Sequence, residues 1–101
     1  MYYVVSKWQM MPGKEEAFKE VGSKMREFMR QQPGVEFADG MTCEDGHALA
    51  IIGYTNEEAY RRVTADGGPF EMEARKHDIE SSGKWLWSER GTALDRIKTG
   101  V

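Results

Sequence analysis

The chain has 101 residues, a formal charge of −3 and 40% apolar residues, which fits one domain. Its single cysteine, Cys43, excludes an internal disulfide and a cysteine-based zinc or redox motif. Fourteen basic residues dispersed among seventeen acidic ones leave no patch for nucleic acid, and no stretch nears the ~20 apolar residues of a membrane span. The start, Met1-Tyr2-Tyr3-Val4-Val5, lacks a basic, cleavable leader, so a reducing, cytoplasmic setting is expected. The apolar set is itself uneven. Three Leu, four Ile and six Val stand against seven Met and eleven aromatics.

Residues 2–10 are β-branched and aromatic and predict a strand, closed by Pro12-Gly13. From Lys14 to Gln32 the apolar positions Phe18, Val21, Met25, Phe28 and Met29 recur at helical spacing. Glu15 and Glu16 at its start and Arg26 and Arg30 near its end suit the helix dipole. Gln32-Pro33-Gly34 stops this helix. A second strand over Val35–Cys43 places Val35, Phe37 and Met41 on one face. Asp45-Gly46 signals a hairpin, returned by a strand over His47–Tyr54.

Thr55 and Glu58, three apart, read as a capping box opening a short helix to about Ala65. Pro69 begins a third helix, expected to reach about Glu80. Ser81-Ser82-Gly83 turns into a last strand, Lys84–Glu89, in which Trp85 and Trp87 share one face. Residues 92–101 read as a polar tail behind a single domain over 1–91.

The order is β-α-β-β-α-β with an antiparallel sheet, an α+β ferredoxin-like arrangement whose helices cover one sheet face. The other face is not polar. Strand three carries Leu49 and Ile51 on one side and Ala48, Ala50, Ile52 and Tyr54 on the other. A sheet apolar on both faces is normally covered on both, so a homodimer through the sheet face is expected.

Pro12 to Phe18, Gln32-Pro33-Gly34-Val35, Tyr54 to Tyr60 and Gly68-Pro69-Phe70 fall in an order and spacing that resembles the antibiotic biosynthesis monooxygenase family, among the dimeric α+β barrel proteins. The resemblance spans residues 1–91. It implies a barrel formed by two stacked sheets and a pocket between each sheet and its helices. It also implies oxygenation of a small phenolic or quinone-like aromatic without metal or flavin. Non-enzymatic ligand binding, or a stress-related role, on the same fold is the alternative. The haem-degrading branch uses an asparagine on the first strand, a tryptophan on the second helix and a histidine on the third. Here Ser6 or Lys7, Val63 and Ala74 stand there, which ranks haem degradation or haem binding behind the other two readings.

Several residues are candidates for such a pocket. His77 shares a helical face with Phe70 and Ala74, where an imidazole can take a phenolic proton; the other reading is a solvated run, Arg75-Lys76-His77-Asp78. Tyr54 and Tyr60 can donate to a substrate oxygen or simply pack. Trp8, Phe70 and Trp85 can form apolar walls or plain core, and Arg61 can hold an anion or be solvated. The first and fourth strands are not expected to pair, which leaves contact between Trp8 and the Trp85/Trp87 pair open. Two histidines without a paired spacing point away from a metal site, and Cys43 reads as a plain thiol.

Overall fold

In the computed structural model, which describes residues 1–95, the chain runs β1 (Tyr2–Met10), α1 (Glu15–Arg30), β2 (Val35–Thr42), β3 (Ala48–Tyr54), α2 (Glu57–Val63), α3 (Pro69–His77) and β4 (Gly83–Thr92). The fold is the expected α+β arrangement. One antiparallel sheet, ordered β2-β3-β1-β4, is covered by the helices on one face. The first strand is therefore central and pairs with the fourth, against the sequence expectation; Trp8 lies directly opposite Trp85. The last strand runs to Thr92, past its expected end at Glu89, and Ala93 still donates to the Met1 carbonyl at 3.0 Å. Of the expected tail, residues 96–101 lie outside the described part.

Two bulges re-aim side chains. Between β1 and β4 the register shifts, so Trp8 faces Trp85 while its neighbour Lys7 faces Trp87. Leu86 is the extra residue of the bulge, and the two tryptophans point to opposite faces rather than sharing one. In β2, Val35 pairs with Tyr54 and Phe37 with Gly53, leaving Glu36 as the extra residue. Val35 accordingly packs on the helix-side core, while Phe37 lies beside Tyr3, with ring centroids 6.0 Å apart. Strict alternation had put Val35 and Phe37 together.

Helix ends also depart from the sequence reading for local reasons. The Thr55 amide is bonded to the Gly34 carbonyl at 2.8 Å, which ties it to the strand end. Asn56 caps α2 instead, its side chain accepting from the Ala59 amide at 2.9 Å. Helix α3 stops at His77 because Asp78 adopts the left-handed region, with φ 49°, and a single 3-10 turn follows over Ile79–Ser81.

The main cluster of buried side chains lies at one end of the sheet, with Phe18 and Met25 buried outside it. Tyr2, Met29, Ala38, Tyr54, Ala59 and Val63 form the cluster, supported by Val4, Phe28, Ile52 and Tyr60. Toward the other end of β1, Phe18 of α1 packs on Trp8, and space is left between the helices and the sheet.

Candidate functional site

The cavity, about 720 Å³, lies between the helix-facing side of the sheet and the α1 and α3 helices. Its volume is in the range of small-molecule sites. Residues two apart on a strand share a face. That puts Val4, Ser6, Trp8 and Met10 of β1 and Ala48, Ala50, Ile52 and Tyr54 of β3 on its floor. α1 brings Phe18, Gly22, Met25, Arg26 and Met29 to the lining, and Phe70 enters from α3.

The aromatic wall is built by cross-strand and interlayer contacts. Trp8 sits against Phe18 with centroids 5.9 Å apart, and Trp85 is its neighbour on β4. At the far end Tyr54 meets Tyr60 edge-on at 5.5 Å, and Tyr60 in turn packs on Tyr2 at 5.2 Å. The Arg90 guanidinium lies 5.9 Å from the Tyr60 ring centre, a cation–π arrangement at the rim.

Polar groups are few and placed. Trp85 Nε1 donates to Ser88 Oγ at 2.8 Å, and the Ser88 and Ser6 hydroxyls lie 2.7 Å apart. Each hydroxyl has one donor and two acceptor sites, so this pair keeps capacity for a ligand oxygen. Tyr54 is 1% exposed and lines the cavity. Burial, reinforced by the neighbouring Tyr60, holds its hydroxyl far above the ordinary phenol range. Tyr54 is therefore a neutral donor at any physiological pH. No hydrogen bond joins its hydroxyl to another of the described residues.

The sequence candidates divide on this geometry. Trp8, Tyr54, Tyr60, Phe70 and Trp85 all line the cavity. His77 does not. Its Nε2 lies 3.0 Å from Glu73 Oε2, one turn back on α3, with both side chains half-buried. The left-handed Asp78 breaks the helix right after it and swings Ile79 and Glu80 to the lining instead. Arg61 also stays outside. It is an exposed side chain bonded to Glu57 at 2.7 Å, an i,i+4 pair on the solvent side of α2.

Sequence reasoning missed Ser6, Ser88, Arg26, Arg90 and Glu80. Period-two faces were the available signal for Ser6, which shares its side with Trp8. Ser88 shares its side with Trp85 only because of the bulge, which alternation cannot reveal. Among the described residues, no group of three or more His, Cys, Asp or Glu side chains is arranged to hold a metal ion.

The opposite sheet face carries Tyr3, Val5 and Lys7 of β1, Phe37 of β2, Leu49 and Ile51 of β3 and Trp87 of β4. No helix of the described residues covers it, and Trp87 is 44% exposed. No described helix is long and apolar enough to cross a membrane.

The chain matches no protein-family model and no curated protein by sequence. Solved structures do share its fold. SnoaB, a cofactor-independent oxygenase from Streptomyces nogalater, aligns over 99% of this chain and 97% of its own at 20% identity, with a TM-score of 0.73. Rv0793 from Mycobacterium tuberculosis aligns over 96% and 98% at 16% identity, with a TM-score of 0.78. A protein from Deinococcus radiodurans, named as a candidate antibiotic biosynthesis monooxygenase, aligns over 97% of each chain at 16% identity and a TM-score of 0.73. The family resemblance read from the sequence thus meets its counterpart in three dimensions. At these identities the likeness is one of fold.

Proposed function

We propose that this chain is an antibiotic biosynthesis monooxygenase-type protein. In this reading it oxygenates a small phenolic or quinone-like aromatic without a bound cofactor. The observation that carries the proposal is the hollow itself: a cavity of about 720 Å³ walled by Trp8, Phe18, Phe70 and Trp85, with the Tyr54, Ser6 and Ser88 hydroxyls set into it. Flat π-faces suit a planar ring, and hydroxyls set among apolar walls suit a carbonyl or phenolate oxygen. The shared fold of SnoaB, named a cofactor-independent oxygenase, supports the same chemistry.

In an anthrone-type reaction the substrate supplies the electrons. Loss of one proton gives an electron-rich anion, which adds dioxygen at the ring carbon; a proton completes the hydroperoxide. Loss of water then leaves a carbonyl, so one oxygen atom is retained and the other leaves as water. The protein's part is orientation, exclusion of water and stabilisation of the oxyanion. Neutral Tyr54 donates to that oxyanion. Proton departure is directed toward the mouth, where Glu80 is a carboxylate among the lining residues. His77 is given no step, because it is held by Glu73 outside the cavity.

The reading includes a homodimer in which two copies bury the outer faces bearing Tyr3, Ile51 and Trp87. Light scattering at micromolar concentration tests it, and a stable monomer contradicts it. Oxygen-electrode assays over anthrones and hydroquinones test the reaction. Enzyme-dependent uptake supports it.

A second reading, a non-catalytic ligand-binding dimer, is favoured by one observation. The described lining contains no histidine, and its carboxylate, Glu80, is exposed at the rim. Tight binding of the same compounds without oxygen uptake selects this reading.

A further inference from the structure

The helix-facing side of the sheet contains a straight row of small residues at right angles to the strands. Gly40 of β2 pairs with Ala50 of β3, Ala50 with Ser6 of β1, and Ser6 with Ser88 of β4. The rows on either side are bulky toward β1 and β4, and carry Ala48, Thr42 and Ala38 toward Gly40. Trp8 and Trp85 face each other in one, and Val4 and Ile52 pair in the other. The four small residues and these four beside them all line the cavity, so its floor carries a strip of small side chains running across the sheet.

One end of the strip is polar by virtue of the serine hydroxyls. The other end holds a cation. Arg26 of α1 lines the cavity, and its guanidinium lies in a slot between two glycines. A Cβ on Gly40 would stand 2.7 Å from Arg26 Nη1 and 2.8 Å from Cζ, and one on Gly22 would stand 3.1 Å from the same nitrogen. No ordinary side chain at Gly40 leaves the guanidinium where it is.

That guanidinium has no carboxylate within 4.0 Å among the described residues. The nearby Asp39 is engaged by Arg30, at 4.0 Å, and Arg30 also donates to the Ala38 carbonyl at 3.0 Å. Burial, then Arg30 as a like-charged neighbour, lowers the Arg26 pKa from its ordinary value, and Asp39 offsets this only in part, which marks a cation partly stripped of water. From Gly40 to Ser6 is two strand spacings, roughly 10 Å, about the length of a fused bicyclic ring system with a substituent at each end.

We propose that Arg26 is an anion-binding, specificity-determining residue. The ligand then lies across the strands along the Gly40–Ala50–Ser6–Ser88 strip, a planar aromatic acid with its carboxylate on Arg26 and its phenolic or carbonyl oxygen on the serine pair. This rests on the reading of the cavity as an aromatic-ligand site and adds the substrate's charge and its direction. A planar guanidinium donates two parallel hydrogen bonds to a carboxylate, and a carboxamide reproduces the shape without the charge.

The test measures binding of 6-hydroxy-2-naphthoate and of its carboxamide by quenching of tryptophan fluorescence. Wild-type protein is expected to bind the acid about tenfold tighter or more, the range of a charge-assisted pair. R26Q brings the ratio near one while the carboxamide still binds. G40A keeps every charge but displaces the guanidinium, and it lowers the ratio several-fold. R61Q removes the same charge outside the cavity and leaves the ratio unchanged. A wild-type ratio near one, or a preference that survives in both R26Q and G40A, overturns the anion site while carboxamide binding leaves the aromatic pocket standing. Failure of wild-type protein to bind either compound overturns both.

Discussion

Gly83, the first residue of β4, is set against the aromatic wall of the cavity, and replacing it with alanine tests how that wall is packed. Its backbone is not in the left-handed region, so alanine is conformationally acceptable. The obstacle is steric. A Cβ there would lie 2.2 Å from Phe18 Cε2 and 2.4 Å from Cδ2. Carbon atoms pack at about 3.5 Å, so the ring has to retreat by more than about 1 Å. Phe18 is only 5% exposed and rests on Trp8, which limits its sideways movement. Its free direction is into the cavity.

Overpacking of this kind costs about 1–3 kcal/mol. For a domain of this size that is a fall in Tm of roughly 5–15 °C at fixed protein concentration. The assay is thermal and urea unfolding of Gly83→Ala in two backgrounds, wild type and Phe18→Leu. The smaller side chain vacates the contact, so the cost of Gly83→Ala falls by at least about 1 kcal/mol in that background. Affinity for a planar ligand also drops in the single variant, because the displaced ring occupies the site. An equal cost in both backgrounds would refute the proposed clash.

Tyr54→Phe removes a hydroxyl without a described protein partner and is expected to change stability by under about 1 kcal/mol. Turnover of a phenolic substrate should fall at least about tenfold, as for loss of an oxyanion donor; unchanged turnover removes Tyr54 from the mechanism. In alkaline absorbance titration, one of the four tyrosines should resist ionisation well past pH 10, and that late phase should vanish in Tyr54→Phe. Because the folded value lies above the unfolded one, the stability Tyr54 contributes is present below about pH 10 and is lost as pH rises toward the folded value.

Met29→Ala, in the closed end of the core at 1% exposure, should cost about 2–5 kcal/mol. Urea unfolding checks this. Asp45 is held below its ordinary value by its bond to Lys7, at 2.6 Å, and then by the His47 amide. Its contribution is therefore constant above about pH 4 and lost as pH falls through the depressed value. Asp45→Asn should flatten the stability profile below pH 4. An unaltered acid limb contradicts this assignment.

The order of elements was legible because each hydrophobic period and each Pro-Gly boundary agrees with the final fold. The sides of β2 and β4 were not, because a bulge at Glu36 or Leu86 changes parity without changing composition. The Leu86 bulge sent Trp87 to the outer face, while the Trp8–Trp85 pairing was hidden by the expectation that the first and fourth strands do not pair. His77 does lie on the helix, but its ring is held by Glu73 one turn back, a side-chain pairing that periodicity does not rank. The left-handed Asp78 then ends the helix, and Glu80 reaches the cavity lining. Arg26 looked like a helix-end cation suited to the dipole. Its signal lay in Gly22, one turn back on the same helix, and in Gly40 of β2, which only three dimensions bring to the same guanidinium.

The uneven apolar set has the same explanation. Trp8, Phe18, Met25, Phe70 and Trp85 border a hollow, where few aliphatic side chains are needed to fill space. The central claim is that oxidation of an aromatic substrate occurs in this hollow. The direct measurement is oxygen uptake with an anthrone substrate, comparing wild type with Ala50→Leu, which fills the cavity floor without disturbing the closed core. Wild type is expected to consume one oxygen per quinone formed, and the variant to show near-background uptake. Equal uptake by both proteins, or none by wild type, would contradict it.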